Sequence, residues 1–295
     1  MYKVKNNFIL ISGLFLSSLL VGCTNINAKP KIANNNISAQ NISLSKIDGE
    51  LGNLQYHSGQ AAYSYINHNH ANLKTSDWKY NHVSYNNLDM LNRTSKGNVA
   101  YLQSDNVAND SLRTRQSVKP TAWHQKFIDH DPIINRGHEI AYSLSKGISM
   151  DGKYKPQFQS GDLNNPKNLF TQTAFSNQKV QTIFESKVRN ALKDGKKVIY
   201  SVKPIFRGSE LMARGVHMQA LSTDKALNFN VYLYNVQPKI TFNYASGRSS
   251  IDQNMNVPTP ADAPTFNDNH QSNVYHGIYH SSYNHMYKLH NHNKI

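Results

Sequence analysis

The clearest pattern of apolar and polar positions in the chain lies at residues 227–233, where Leu, Phe, Val and Leu alternate with Asn, Asn and Tyr. A period of two predicts a β-strand with one buried face. Two further strands are predicted, one over residues 197–206 that is interrupted at Pro204 and one around residues 216–220. Successive strands of this kind predict an antiparallel sheet.

One helix is predicted with similar clarity. Apolar residues recur at spacings of three and four between Asn177 and Leu192, which is the period of a helix with one buried side. Gly195 follows, and glycine readily adopts the left-handed conformation that ends helices. Strands and helices are segregated along the chain, so the predicted fold class is α+β, with a central antiparallel sheet and flanking helices.

The two ends of the chain lack such periodicity. Residues 23–75 are rich in Asn, Ser and Gln and are predicted to form a flexible linker. Residues 251–295 begin with a proline-rich segment and continue with Asn, Tyr and His, which predicts a tail with little fixed structure. The folded domain is therefore expected to span residues 76–250.

The first residues predict export from a bacterial cell. Lys3 and Lys5 precede an apolar run over residues 8–21 that is short for a permanent membrane span, as in a signal peptide. The run ends in Leu-Val-Gly-Cys, which resembles a lipobox. This resemblance implies cleavage after residue 22, a lipid on Cys23, and a protein held on the cell envelope or cell surface or released from it. The alternative is an ordinary signal peptide in which Cys23 is incidental.

The charge of the chain narrows the class of partner. The formal net charge is +14, and residues 76–250 hold 24 Lys and Arg against 13 Asp and Glu. A basic field of this size on the folded part attracts polyanions. Nucleic acid, an anionic membrane and an anionic wall polymer all fit, and charge alone does not choose among them.

Two polar blocks carry candidate chemistry. The first is Asn135-Arg136-Gly137-His138, and the second is the asparagine-rich segment 164–178 at the start of the predicted helix. An arginine beside a histidine supplies a fixed cation for a phosphate and a base with a pKa near neutrality. Both are needed for phosphodiester hydrolysis.

Together these blocks resemble the DNA/RNA non-specific endonuclease family, in its branch of cell-surface and DNA-entry nucleases. Segments 120–125, 230–237 and 243–247 add to the resemblance, which covers roughly residues 78–248. It implies a ββα-metal core and an enzyme that cleaves DNA and RNA without strong sequence preference. It also implies 5′-phosphate products and Mg²⁺ as the cofactor, with Mn²⁺ as the substitute.

The resemblance also implies a role for each matched residue. His138 is the expected general base, and Asn177 is the expected direct ligand of Mg²⁺. Glu185 is expected to orient metal-bound waters, and Asn168 to support the site geometry. Arg136 and Arg189 are expected near the scissile phosphate. Gln172 is a weaker candidate that would support these residues without contacting the substrate. Asn135 stands where the family usually has Asp, which puts catalytic efficiency in question and leaves an inactive relative as the alternative.

Spacing along the predicted helix agrees with these roles. Asn177, Gln181, Glu185 and Arg189 are four residues apart, so in an α-helix they share one slowly drifting face. That face is distinct from the apolar stripe. The alternative for Glu185 and Arg189 is a surface ion pair that adds little stability.

Other residues are less informative. Arg113 and Arg115 are either further phosphate contacts or solvated charges. His217 lies in a predicted strand and is expected to be structural. Trp123 and His124 are expected to pack near the strand that carries His138.

Six histidines interleaved with tyrosines occupy the tail between His270 and His292. They would bind transition metals, or gain charge below about pH 6.5 and hold nucleic acid or envelope polymer, or form an unselected polar tail. Two alternatives to the nuclease therefore stay open. One is a lipid-anchored binding protein for nucleic acid or metal, and the other is a sequence-specific HNH-type endonuclease.

Overall fold

The computed structural model describes residues 44–265. The predicted signal peptide, Cys23 and the histidines of the tail lie outside the described residues. Within 44–265, none of the helices has the length and apolar character needed to cross a membrane.

Strands dominate the described part of the chain. They are β1 (Tyr63–Tyr65), β2 (His82–Ser84), β3 (Asn98–Leu102), β4 (Phe127–Ile128), β5 (Asp131–Pro132), β6 (Ile134–His138), β7 (Leu169–Thr173), β8 (Val198–Ile205), β9 (Gly215–Ser222), β10 (Asn228–Tyr234), β11 (Ile240–Asn243) and β12 (Arg248–Ile251). The helices are α1 (Leu44–Asn53), a π-helical turn (Ser176–Gln181) and α2 (Thr182–Lys193). Short 3₁₀ turns lie at Asn67–Asn69, Thr75–Asp77, Ser104–Asn106, Asp110–Leu112, Tyr142–Leu144 and Pro166–Asn168.

A six-stranded sheet forms the centre, in the order β1-β10-β9-β8-β3-β2, and all its pairings are antiparallel. The α+β prediction with a central antiparallel sheet is confirmed. The three strands and the helix expected from periodicity are present as β8, β9, β10 and α2. Gly195 has φ +78° directly after α2, as expected of a residue that ends a helix.

Pro204 does not interrupt β8, contrary to the prediction. β3 pairs with β8 only as far as Val202, so beyond that residue β8 has β9 as its one neighbour in the sheet. A proline removes a backbone donor, and it is tolerated where no second strand requires that donor.

The prediction that β10 buries only one face is wrong, because nearly every residue of β10 is buried. On one face Phe229 contacts Phe184 of α2, with ring centroids 5.3 Å apart. On the other face Tyr234 contacts Tyr56, with centroids 5.5 Å apart. The segment that follows α1 therefore covers the second face.

The predicted linker is accordingly wrong for residues 44–75. Ile47 and Leu51 of α1 belong to the hydrophobic core, and Tyr63–Tyr65 extends the sheet by pairing with β10. Lys203 of β8 donates a 2.5 Å ion-paired bond to Asp48 of α1. This segment is part of the domain.

The predicted tail is wrong for residues 251–265. Val257 is buried in the core, and the backbone oxygen of Asn256 accepts a hydrogen bond from the backbone N–H of Gly59. Ser58 Oγ donates to the Asn254 oxygen at 2.6 Å. Hence both edges of the expected domain, at 76 and at 250, fall inside the fold.

Candidate active site

Strands β6 and β7 bring the two polar blocks of the sequence together. They run antiparallel, with Asn135 opposite Gln172 and His138 opposite Leu169. Gly137 of β6 lies under the side chain of Gln172. A Cβ added at Gly137 would be 2.7 Å from the Cβ of Gln172. Only glycine leaves room for that side chain, which explains the residue before His138.

The imidazole of His138 is buried, with 7% of the residue exposed. Its Nε2 lies 3.2 Å from the Leu163 oxygen and 3.4 Å from Nε2 of Gln116. A water molecule activated by His138 must take the place of one of these partners. No motif in the sequence pointed to Gln116, which reaches the site from a loop far from His138 in the chain.

Burial first, and the nearby cation of Arg113 second, lower the pKa of His138 to about 4, against two backbone hydrogen bonds that raise it. The ring is therefore neutral around pH 7 and able to accept a proton. A neutral imidazole is the form that a general base requires.

Gln181 connects the strand to the helix. Its Nε2 donates to the backbone oxygen of His138 at 2.8 Å and to Oε1 of Glu185 at 2.7 Å. Its Oε1 accepts from Nε2 of Gln172 at 2.9 Å. All four residues are buried, so one amide fixes the backbone that carries the histidine and the carboxylate beside it.

The side chain of Asn177 has a fixed orientation. Its Nδ2 donates to Oε1 of Gln172 at 2.9 Å, and its Oδ1 receives only a long 3.4 Å contact from Nδ2 of Asn135. An oxygen is thus presented on a neutral, preoriented amide, a ligand type that suits Mg²⁺. Within residues 44–265, no three His, Cys, Asp or Glu residues group as a metal site.

The predicted shared face of the helix is only partly observed. Residues 176–181 form a π turn, whose wider winding changes the offset between positions four residues apart. Gln181 and Glu185 are in contact, whereas Asn177 reaches Gln181 through Gln172. The contacts of Gln172 therefore connect Asn177 to Gln181 and Glu185, which the spacing along the helix alone does not do.

Glu185 and Arg189 do not form a surface ion pair. Glu185 is buried, and burial raises its pKa, while the bond from Gln181 and the cations of Arg189 and Arg113 lower it. Arg189 donates from Nη2 to Oγ of Ser143 at 2.8 Å. The carboxylate thus lies inside the site, with the arginine held near it.

Arg136 lies over the ring of Trp123, with its guanidinium carbon 4.6 Å from the ring centroid, and its Nε donates to the Val118 oxygen. Trp123 packs against a small second core, as predicted. His124 is exposed, so its predicted packing is wrong: it follows Trp123 on a loop and turns toward solvent.

Arg113 and Arg115 differ in their contacts. Arg113 pairs with Asp110 at 3.0 Å and lies over the ring of Tyr142, close enough to His138 to affect its pKa. Arg115 is exposed, and its backbone oxygen accepts a hydrogen bond from Nδ2 of Asn164 at 3.2 Å. Of the two, Arg113 is the one near the site.

Asn168 supports the backbone beyond His138. Its Oδ1 accepts from the N–H of Ile140 at 2.8 Å, and its Nδ2 donates to the oxygen of the same residue at 2.9 Å. Its own oxygen accepts from the N–H of Glu139. Asn168 is completely buried, so it acts on geometry rather than on substrate. His217 is also buried, bonded to Asn230 at 2.7 Å, as expected of a structural histidine.

Replacing Gln181 with Met should lower kcat about tenfold to hundredfold, the usual cost of losing a residue that orients a metal site from behind. The KM for DNA should change little, because Gln181 is buried away from substrate. Steady-state kinetics on plasmid DNA would measure both. Gln253→Met, at an exposed position, is the control, and a rise in KM with unchanged kcat would contradict the positioning role.

Comparisons with known proteins identify the family of the chain. A sequence profile described as DNA/RNA non-specific endonuclease matches residues 155–224. The crystal structure of NucA from Streptococcus agalactiae with magnesium ion bound is similar at 29% identity and TM-score 0.57, covering 68% of this chain and 93% of that one. NucA with no metal bound is similar at 30% identity and TM-score 0.54, covering 67% of this chain and 89% of that one. The predicted family resemblance is thereby confirmed: the chain belongs to the DNA/RNA non-specific endonuclease family and is a metal-dependent nuclease of the ββα-metal fold.

Proposed function

We propose that the protein is an exported, lipid-anchored endonuclease that hydrolyses phosphodiester bonds of DNA and RNA with little sequence preference and leaves 5′-phosphate ends. His138 is the general base in this proposal. Asn177 is the protein ligand of Mg²⁺, with Mn²⁺ as its substitute. Glu185 holds metal-bound water, and Arg136 and Arg189 contact the phosphate. The observation that carries it is the buried network from His138 through Gln181 to Glu185 and Gln172.

This network supports base catalysis because it fixes the position of the histidine while leaving its ring neutral. Gln181 holds the main chain at His138, and Asn168 holds the main chain two residues later. A base that is neutral and immobilised can take a proton from a water molecule without first losing one itself. Immobilisation also removes part of the entropic cost of orienting the reacting groups.

The donor set fits a magnesium ion. Oδ1 of Asn177 is oriented by the bond from its Nδ2 to Gln172, and the Glu185 carboxylate lies on the same network. Mg²⁺ keeps several waters and needs few protein oxygens. When bound, it would supply a positive charge that stabilises the developing charge on the phosphate and on the leaving oxygen.

Two arginines are suited to the phosphate in different ways. Arg136 is held against Trp123, so its planar guanidinium is preoriented for a phosphate oxygen. Arg189 is held by Ser143 near Glu185. Contacts to the phosphate backbone carry no base information, which supports cleavage with little sequence preference.

Export and lipid attachment rest on residues outside the described part. The support is the apolar run at residues 8–21 with Cys23 at its end. A formal charge of +14 also suits a protein whose substrate is a polyanion.

The direct test is to incubate the full chain, purified in detergent, with supercoiled plasmid and with RNA in Mg²⁺. We expect relaxed and then linear plasmid, a smear without discrete bands, and products that a 5′-phosphate-dependent exonuclease degrades. A ladder of discrete bands would indicate a sequence-specific endonuclease. Retention of plasmid in a gel shift without cleavage would indicate a binding protein. Either result would overturn the proposal.

Replacing Asn177 with Ala should raise the Mg²⁺ concentration for half-maximal activity by tenfold or more, because the one oriented protein oxygen is lost. Asn135→Asp should lower that concentration, since it removes the amide that contacts Oδ1 of Asn177 and adds a negative charge. Metal titrations of activity and calorimetric Mg²⁺ binding would measure both. Asn190→Ala, exposed on the same helix, is the control. An unchanged titration for Asn177→Ala would exclude it as a ligand.

Activity should persist to lower pH than an ordinary histidine base allows. The neutral form of His138 is the active one, and its pKa is lowered to about 4, by burial first and by Arg113 second. Activity is therefore retained as pH falls from 8 to about 5 and is lost below about 4. The pH profile of kcat/KM at saturating Mg²⁺ would measure it, with NMR titration of His138 for assignment. A limb centred near 6.5 would contradict the prediction.

A further inference from the structure

A cavity of about 280 Å³ lies on the side of the sheet covered by the segment after α1. Its lining includes four aromatic residues and two arginines, namely Tyr56, Tyr234, Phe242, Tyr244, Arg207 and Arg214. None of His138, Asn177 or Glu185 lines it. It is therefore separate from the catalytic residues, and the function proposed above does not use it.

Arg207 lines this cavity, and no carboxylate within residues 44–265 forms an ion pair with it. Its Nε donates to the Gly52 oxygen at 2.8 Å, whereas its Nη2 is buried and has no acceptor in the described part of the chain. A guanidinium has five N–H donors. A partly buried cation without a counterion is costly unless an anion completes it.

The nearby carboxylate is already engaged. Glu210 pairs with Arg214 through both of its oxygens, and the guanidinium of Arg214 lies 4.3 Å from the centroid of Tyr244. Arg214 is thus neutralised within the protein. The charge of Arg207 is left for a ligand and makes this side of the cavity positive.

Aromatic rings form another part of the wall. Tyr56 and Tyr234 meet edge to face, with centroids 5.5 Å apart, and Phe242 and Tyr244 are tilted at 6.5 Å. Such rings accept a flat heterocycle by stacking or edge contact. The cavity therefore offers both a cation for a phosphate group and an aromatic surface for a nucleobase.

We propose that this cavity binds a nucleoside monophosphate unit, with the phosphate on Arg207 and the base among the aromatic side chains. The ligand is either a free mononucleotide or the 5′-phosphorylated end of a strand, and as a product site it rests on the proposed nuclease function. A phosphate at the cavity wall would supply the counterion that Arg207 lacks within residues 44–265.

Isothermal titration calorimetry of the full chain in EDTA would test the site with AMP, adenosine, inorganic phosphate, and a dinucleotide with or without a 5′-phosphate. We expect AMP to bind at least tenfold more tightly than adenosine or phosphate. Arg207→Gln should weaken AMP binding about tenfold to hundredfold, the usual loss for a charge-assisted hydrogen bond. Lys193→Gln, which removes one exposed charge from the end of α2, should leave it unchanged.

Phe242→Leu gives a second test if Arg207→Gln fails to fold, and it should weaken AMP more than inorganic phosphate. His138→Ala should bind AMP like the wild type, so binding can be judged even if plasmid cleavage is absent. Binding of AMP alone would identify the free mononucleotide as the ligand, and binding of the 5′-phosphorylated dinucleotide would identify the strand end. No AMP binding at millimolar concentration, equal binding of phosphate, or no effect of Arg207→Gln would overturn the proposal.

Discussion

Replacement of His138 with Ala should lower kcat for plasmid cleavage about 100-fold to 10,000-fold, the range that general base catalysis contributes. The fold should persist, because the contacts that hold this strand are made by the main chain of His138 and by its neighbours rather than by the ring. Gln181 bonds to the backbone oxygen of residue 138, which alanine retains. The KM for DNA should change little.

The control for this experiment is His57→Ala, which removes an exposed histidine from the loop after α1. Both variants should show the circular dichroism spectrum of the wild type. Imidazole added to His138→Ala should restore part of the activity, since the deleted ring leaves space beside Leu163 and Gln116. Activity of His138→Ala within threefold of the wild type would exclude His138 as the base.

The strands and helix with strong periodicity could be predicted because burial there follows the local pattern. The helix stripe around Phe184 and Val188 and the alternation in β10 both correspond to core contacts. The burial of the second face of β10 could not be predicted from the sequence of β10 alone. That depends on Tyr56 and its neighbours, which lie far away in sequence.

The segment 44–75 was predicted to be a linker because it shows little sustained apolar periodicity, although its share of apolar residues matches that of the whole chain. Ile47 and Leu51 give α1 a short apolar stripe within a polar composition, and Tyr63–Tyr65 is only three residues long. Such elements have little intrinsic stability, and they form here because the existing sheet supplies their partners. Composition reports the average of a segment, whereas two or three side chains decide whether it docks.

The candidate site could likewise be predicted only in part. Its motif residues could be named from the sequence, since Asn135, His138 and Asn177 lie in two recognisable blocks. Their connection could not be predicted, because the π turn changes the offset of Asn177, and Gln172 of β7 provides the link. Gln116 and Leu163 approach His138 from loops, whose paths local patterns do not determine.

Glu139, directly after the proposed general base, was also missed, and replacing it with Gln should stabilise the protein at neutral and alkaline pH. Its side chain is fully buried, and neither carboxylate oxygen has a hydrogen-bond partner within residues 44–265. Burial raises its pKa well above the usual value, although Thr94 and Lys203 act to lower it. The folded state thus favours the protonated acid.

The direction of the pH dependence follows from that shift. A carboxyl group whose pKa is higher in the folded state than in the unfolded chain contributes full stability below the unfolded pKa of about 4.3. That contribution is lost as pH rises toward the folded pKa. Glutamine does not ionise, so Glu139→Gln should match the wild type near pH 4 and exceed it increasingly up to pH 8, by about 1.4 kcal/mol for each pH unit over which the folded protein keeps Glu139 protonated while the unfolded chain ionises it.

Urea denaturation at pH 4, 6 and 8 would measure the difference, with Glu50→Gln on α1 as the control for loss of one carboxylate. Glu139→Met, which removes both oxygens at similar volume, should show the same trend with pH. An equal free energy of unfolding for wild type and Glu139→Gln at every pH would mean that the carboxylate is compensated in the folded protein. In that case Glu139 would cost the folded protein no stability at neutral pH, and there would be no reason to expect this nuclease to be most stable at mildly acidic pH. At mildly acidic pH, His138 is expected to remain neutral, and the enzyme is expected to remain active.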